Sequence, residues 1–334
     1  MSNQNQMDQV YTPKGRSRGC FLWLGTIVAC LLVLALGLML LGPIYESGAE
    51  SADVRAYPPP GQMVDVGGYR LHINCIGTGS PTVVIDAGWG DWSAMWSWVQ
   101  PEVAKTTRVC TYDRAGMGYS EAGPLPRNAK QFAKELHTLL HQANIPGPYV
   151  LVGHSMGGLP VRVFAHDYAA EVAGVVLIDS MSPAQFSQSP TGTKPQTTSQ
   201  SSGFSIPVVL ARIGLVRLFA GPLGFKPTLP PEVQKAFTAF SVTPRSVQTW
   251  VDEGAGMPES GAQARAVKTF GDLPLIVLSR GLDQKPDWQA MQVELLQLSS
   301  NSQQLIADKS DHNIEINQPE AAVEAITKMV EQLR

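Results

Sequence analysis

The sequence predicts an α/β fold, a mostly parallel sheet covered by helices on both faces. Three observations carry that expectation. Short β-branched runs alternate with stretches of helical periodicity from Thr82 to Ile178, and the alternation resumes at Leu273. A glycine-bracketed serine, LVGHSMGG from Leu151 to Gly158, stands between one such run and a helical stretch. The composition, 44% hydrophobic and 16% charged over 334 residues, is that of a folded chain long enough for a large core.

The chain begins with a polar stretch, residues 1–19, and then carries no charge from Cys20 to Tyr45, CFLWLGTIVACLLVLALGLMLLGPIY. A run of that length suffices for a hydrocarbon core that needs roughly 20 residues. It is longer than the apolar region of a signal peptide and too apolar all round for a core helix. Residues 20–45 are therefore expected to form a transmembrane signal anchor. Cleavage near Ser47-Gly48-Ala49, which would release the rest, is the alternative. Lys14, Arg16 and Arg18 precede the span, whereas Glu46 and Glu50 follow it. By the positive-inside rule, residues 1–19 form a cytoplasmic tail and everything after Tyr45 lies outside the cytoplasm, in the cell-membrane topology of a single-pass protein.

Residues 46–61, ending Tyr57-Pro58-Pro59-Pro60-Gly61, read as a stiff linker to a folded domain at 62–334. That domain opens with a strand pair, Gln62–Val66 and Arg70–Ile76, turning at Gly67-Gly68. Thr82–Asp86 and Arg108–Tyr112 are strands with a helical-looking stretch between them. Phe132, Leu136, Leu139 and Leu140 give Asn128–Ala143 a helical face. The strand Tyr149–Val152, a helix Leu159–Tyr168 and the strand Gly174–Ile178 follow. Ser182 to Ser202 is rich in Ser, Thr, Gln and Pro and is expected to be an irregular loop. Ile206–Leu218, Pro231–Phe240, Ser246–Val251 and Ala262–Thr269 then read as helical with no strand between them. Strands at Leu273–Leu278 and Gln304–Ala307 and a closing helix, Glu320–Leu333, complete the chain.

Net charge of −3 offers no basic footprint, so nucleic acid is not an expected partner. No CxxC pair, metal-spaced His cluster or post-strand GxGxxG is present, and neither a metal nor another cofactor is expected. The chemistry rests on Ser155. Strand, Gly-x-Ser-x-Gly, helix is the context of a nucleophile elbow, where the chain turns too sharply for side chains at Gly153 or Gly157. The helix amino terminus then aims unpaired N–H groups at the reacting centre. Of the six histidines, His72, His137, His141 and His166 lie within predicted elements, and His154 adjoins the nucleophile and points elsewhere. His312, in the polar loop between the last strand and the last helix, is the expected base.

The stretches VVIDAGWGDWS, TYDRAGMGYS, VLVGHSMGG and SDHNIEINQPE resemble the α/β-hydrolase fold superfamily, in its serine esterase/lipase-like branch. The resemblance spans nearly all of 62–334. It implies an eight-stranded sheet with a helical cap inserted after the sixth strand, here about 183–269, and a Ser-His-acid triad. The acid it implies is Asp179, at the end of the sixth strand, or Asp283, after the seventh. The oxyanion hole it implies is made by the backbone N–H groups of Trp89 and Met156. In the family, the Asp113–Ser120 stretch is a structural turn. The family strand order sets the second strand beside the fourth, so Cys75 and Cys110 would be near enough for a bridge; two buried free thiols are the alternative. The implied activity is hydrolysis of a small-molecule carboxylic ester or related acyl compound. Peptidase, lactonase, thioesterase and carbon–carbon bond hydrolase chemistry use the same triad, and a non-catalytic binding protein is the reading from another class. Family members that open epoxides or remove halides attack with an aspartate at the elbow, which Ser155 replaces.

Overall fold

The computed structural model describes residues 17–186, 205–223 and 227–334. Most of the expected tail (1–16) and of the expected irregular loop (187–202) lies outside the described residues. Helix α1 spans Ser17–Ala56. Strands β1 (Gln62–Asp65), β2 (Arg70–Ile76) and β3 (Thr82–Asp86) follow, then the one-turn helix α2 (Gln100–Val103) and β4 (Val109–Tyr112). Next come α3 (Ala129–Gln142), β5 (Tyr149–His154), α4 (Gly158–Asp167) and β6 (Val172–Ile178). The cap contributes α5 (Ile206–Arg212), α6 (Leu215–Leu223), α7 (Pro231–Phe240) and α8 (Pro244–Ala266). The chain closes with β7 (Leu275–Arg280), α9 (Pro286–Leu296), β8 (Ser302–Ala307), α10 (Ile314–Asn317) and α11 (Pro319–Gln332).

The eight strands form one sheet in the order β1-β2-β4-β3-β5-β6-β7-β8, antiparallel at β1–β2–β4 and parallel thereafter. Alternation along the strands divides the core. Val84, Leu151, Val175 and Val277 pack with Phe132 and Leu136 of α3 and Phe164 of α4. Ile85, Val152, Val176 and Ile276 point the other way, to Trp92, Trp96 and the α11 residues Ile326 and Met329. Each large apolar side chain so buried is worth about 1.5–3 kcal/mol, which is why the pattern was visible in sequence. Cys75 and Cys110 are paired across β2 and β4 and are joined as a disulfide with Cα atoms 4.0 Å apart.

Several elements differ from expectation. The helical stretch expected at Ile206–Leu218 is two helices, α5 and α6, parted at Ile213-Gly214, where Gly214 has φ of +75°. The stretch 46–61 is not a linker throughout, because α1 continues as helix to Ala56 and only Tyr57–Gly61 is extended or bent. Its polar end is held by an ion pair to the cap rather than left in water. The helical stretch Ser246–Val251 and the first part of Ala262–Thr269, up to Ala266, belong to one 23-residue helix, α8. Gly254, Gly256, Pro258 and Gly261 suggest a break, but three of these residues are packing sites. Gly254 lies beneath the Trp89 ring, Gly256 against the Arg127 carbonyl and Gly261 against Phe186, where a β-carbon would collide. Helix α9 was not anticipated: its pattern is weak, and it buries chiefly Gln292 and Leu295. At the amino end, α1 is long and apolar enough to cross a membrane. It has a mean hydropathy of 2.8 over an 18-residue window, none of it buried against the domain.

Candidate active site

The elbow is built as the glycines require. A β-carbon on Gly153 would sit 2.8 Å from the Gly157 carbonyl, and one on Gly157 would sit 2.5 Å from the carbonyls of Asp86 and Ala87. Ser155, between β5 and α4, has φ of +51°, a left-handed conformation that a non-glycine residue adopts at a cost of about 1–3 kcal/mol. It is held by the Met181 N–H, which donates to the Ser155 carbonyl at 2.8 Å.

The loop after β8 brings His312 to it. Ser155 Oγ lies 2.9 Å from His312 Nε2, and His312 Nδ1 lies 2.6 Å from Asp179 Oδ2. Asp179, just past β6, also has positive φ, +38°. Its second oxygen accepts from Trp288 Nε1 at 2.8 Å and from the Arg280 N–H at 3.3 Å, so the carboxylate cannot rotate away. The Trp288 ring and the imidazole meet edge to face at 5.7 Å, and the Arg280 guanidinium lies over the Trp288 ring, 4.5 Å from its centroid. Asp283 is exposed in the loop after β7, and the Nδ1 position it would have needed belongs to Asp179.

Met156 follows Ser155 at the start of the α4 turn, and Trp89 lies in the loop after β3. The Trp89 ring is not part of the cluster with Trp92 and Trp96. It stacks on Trp250 of α8 at 4.9 Å, and its Nε1 donates to the Trp250 carbonyl at 2.9 Å, tying the loop to the cap. Underneath lies Arg114, which the sequence places within a structural turn. Its guanidinium donates to Asp86 Oδ1, to Glu253 Oε1 of α8 and to the Ala87 carbonyl, each at 2.7 Å, and also to the Gly88 carbonyl. Glu253 in turn accepts from the Gly90 N–H at 3.1 Å. The loop that carries Trp89 is thus clamped from below by one buried cation. A charged residue inside DRAGMG, where a tight turn needs none, was the available signal. The neighbouring Asp113 is spent elsewhere, on His72 Nδ1 at 2.9 Å.

His154 also has a place that sequence reasoning did not assign. Burial pushes its pKa down to about 3, so the ring stays neutral and Nε2–H donates to the His312 carbonyl at 2.9 Å. Beside it, Glu315 is fully buried and neither carboxylate oxygen has a hydrogen-bond partner among the described residues. Burial raises its pKa well above the usual range, and the nearby Asp91, pushed up to about 6 mainly by burial, adds to the effect. A carboxyl raised in the folded state stabilises fully below its unfolded pKa, and that contribution is lost as pH rises through the folded value. Glu315→Gln keeps the neutral form at every pH. It is expected to raise the melting temperature at pH 8 by about 3 °C or more, the shift that ~1 kcal/mol produces in a domain of this size. The gain should shrink toward zero at pH 4.5. Thermal melts across that range check it, and an unchanged or lower melting temperature at pH 8 would refute the buried-acid account.

The sheet order, the strained serine at the β5–α4 turn and the cap after β6 define an α/β-hydrolase fold. The family model for the alpha/beta hydrolase fold matches residues 81–203. Among solved structures, the epoxide hydrolase CorEH aligns over 82% of this chain and 99% of its own with a TM-score of 0.61 at 20% identity, which speaks for the fold alone. YqjL of Bacillus subtilis is 26% identical over 251 residues, 73% of this chain and 81% of that protein. The probable transporter efuK of Hormonema carpetanum is 32% identical over 136 residues, 38% of this chain, and the match spans only 20% of that protein's length.

Proposed function

We propose that the chain is a serine hydrolase that cleaves a carboxylic ester through an acyl-enzyme. The observation that carries this reading is the unbroken series Ser155 Oγ, His312 Nε2, His312 Nδ1, Asp179 Oδ2, with spacings of 2.9 and 2.6 Å. Nδ1–H donates to Asp179, which leaves the Nε2 lone pair to take the serine proton as Oγ attacks the carbonyl carbon. The backbone N–H groups of Trp89 and Met156 receive the oxyanion, an interaction worth roughly 3–4 kcal/mol per donor in such sites. Collapse expels the alcohol, which takes the proton from Nε2. Water then attacks the acyl-enzyme, giving its proton to Nε2, and the second collapse returns it to Ser155. A small-molecule substrate with an apolar acyl or alcohol part would suit the apolar surface of the stacked Trp89 and Trp250 rings. Both rings are partly exposed.

The same reading places the reaction on a membrane. The uncharged helical run of α1 supports a retained anchor, and the Cys75–Cys110 disulfide supports an oxidising, extracytoplasmic compartment for the catalytic domain.

The test is covalent. A fluorophosphonate probe is expected to label the detergent-solubilised full chain at Ser155 and not to label Ser155→Ala. A series of p-nitrophenyl esters should show burst kinetics with the wild type. Absence of labelling in folded protein would sink the acyl-enzyme mechanism and leave a binding role for the fold.

A further inference from the structure

We infer that the outward face of α5 and α6 lies on the leaflet of the bilayer from which α1 emerges, so that the cap rests on the membrane. The inference depends on the anchor reading of α1. Its first support is that α1 does not end where its apolar run ends. It continues as helix to Ala56, and the polar continuation is bolted to the cap. Arg217 of α6 donates to both oxygens of Glu46, at 2.9 and 2.8 Å, and to Asp53 Oδ2 at 2.6 Å. The Glu46 side chain is only 3% exposed in this contact. Two salt bridges from one guanidinium, one of them to a buried carboxylate, fix the rotation of the domain about the helix rather than letting it swing on a tether.

The second support sets the level. Gly42, inside the uncharged run, packs on the chain just after α5, where a β-carbon would lie 2.5 Å from the Ile213 carbonyl. Tyr45, which ends the run, packs on Gly214. Ile213 and Gly214 therefore sit at the depth of residues 42–45, the outer end of the span. α5 is seven residues long, about 10 Å. Even its far end stays within about 10 Å of that level, the depth range over which interfacial helices seat their apolar faces.

The third support is what this region displays. Ile206 is 76% exposed, Leu218 56%, Phe219 55% and Leu210 37%. Ile206, Leu210 and Ile213 recur at i, i+4 and i+7, so the stripe leads directly to the anchor's own apolar surface at Gly42. Exposed Arg212 beside the stripe suits phosphate headgroups. A bilayer is the occupant because the stripe is continuous with a helix that already lies in one. The consequence for the proposed reaction is that the cap, whose α8 borders Trp89, is presented to esters dissolved in the leaflet.

The experiment is depth measurement on the full chain, with Cys20→Ala and Cys30→Ala, in nanodiscs of zwitterionic and anionic phospholipid. Nitroxide labels go on Ile206→Cys, Leu210→Cys and Phe219→Cys. Lys328→Cys on α11 serves as the water-exposed control and Leu34→Cys as the anchor control. Power saturation with oxygen and with a water-soluble nickel chelate reads the depth. The expected result is that the cap labels favour oxygen over nickel by several-fold, as Leu34→Cys does, while Lys328→Cys favours nickel. Cap labels that match Lys328→Cys, with Leu34→Cys still in lipid, overturn the inference and leave the anchor intact. A water-exposed Leu34→Cys overturns the anchor reading and the inference with it. Cap labels shielded from both quenchers would place protein, such as a second copy, on the stripe, and also overturn it.

Discussion

Asp179→Asn is expected to lower kcat by about 10⁴-fold with the fold intact, whereas Asp283→Asn should leave it within about twofold. The asymmetry follows from the two oxygens of Asp179. One accepts from His312 Nδ1 and the other from Trp288 and the Arg280 N–H, so an asparagine keeps its seat and loses only the negative charge and the acceptor that selects the tautomer. An amide nitrogen facing Nδ1 would draw the ring proton to Nε2, where Ser155 needs a lone pair. Fluorophosphonate labelling rates and ester turnover, measured beside thermal melts, check this. Equal losses in the two variants, or a larger loss in Asp283→Asn, would reassign the acid.

Arg114→Met should be the most damaging substitution outside the triad. Arg114 and its partners Asp86 and Glu253 have side chains no more than 2% exposed, so methionine would strand two carboxylates in the core. Breaking such a pair costs about 3–5 kcal/mol, which lowers the melting temperature by roughly 10 °C in a domain of this size. The loss is also local to catalysis. Without the guanidinium, the carbonyls of Ala87 and Gly88 and the Glu253 carboxylate that orders Gly90 lose their common donor. Under the proposed mechanism, turnover should therefore fall more than apparent substrate affinity, because the Trp89 N–H would serve the oxyanion more than the ground state. Adding Glu253→Gln should recover part of the stability and little of the turnover. If Arg114→Met melts like the wild type, the clamp is not what holds this loop.

Much of the fold was legible because burial leaves its period in the chain. Eight strands with alternating or continuous apolar runs, and α3 and α11 with one apolar face each, were recoverable from the residues alone. α8 and α9 were not. The glycines of α8 answer to Trp89, Phe186 and the Arg127 carbonyl, and α9 buries too little to show a clear period. The helical stretch beyond Tyr45 was hidden for a related reason. Its partner is Arg217, 171 residues away from Glu46.

The candidate site divides along the same line. Ser155 and its glycines are contiguous, so the steric demand of the turn is written in one pentapeptide, and His312 follows from its loop between the last strand and the last helix. The alternatives Asp179 and Asp283 stand at the ends of adjacent parallel strands, and no local rule says which carboxylate the His312 loop will meet. Nor does any local rule reveal that Arg114 crosses beneath the Trp89 loop to reach α8, or that the His154 ring holds the His312 carbonyl. By itself, the sequence determined the strands, the sharp glycine-bracketed turn and the long apolar helix, because each depends on neighbours along the chain. The tertiary structure decided which carboxylate meets His312, the Arg114 clamp and the seating of α1 on the cap, because those are contacts between groups that only the folded chain brings together.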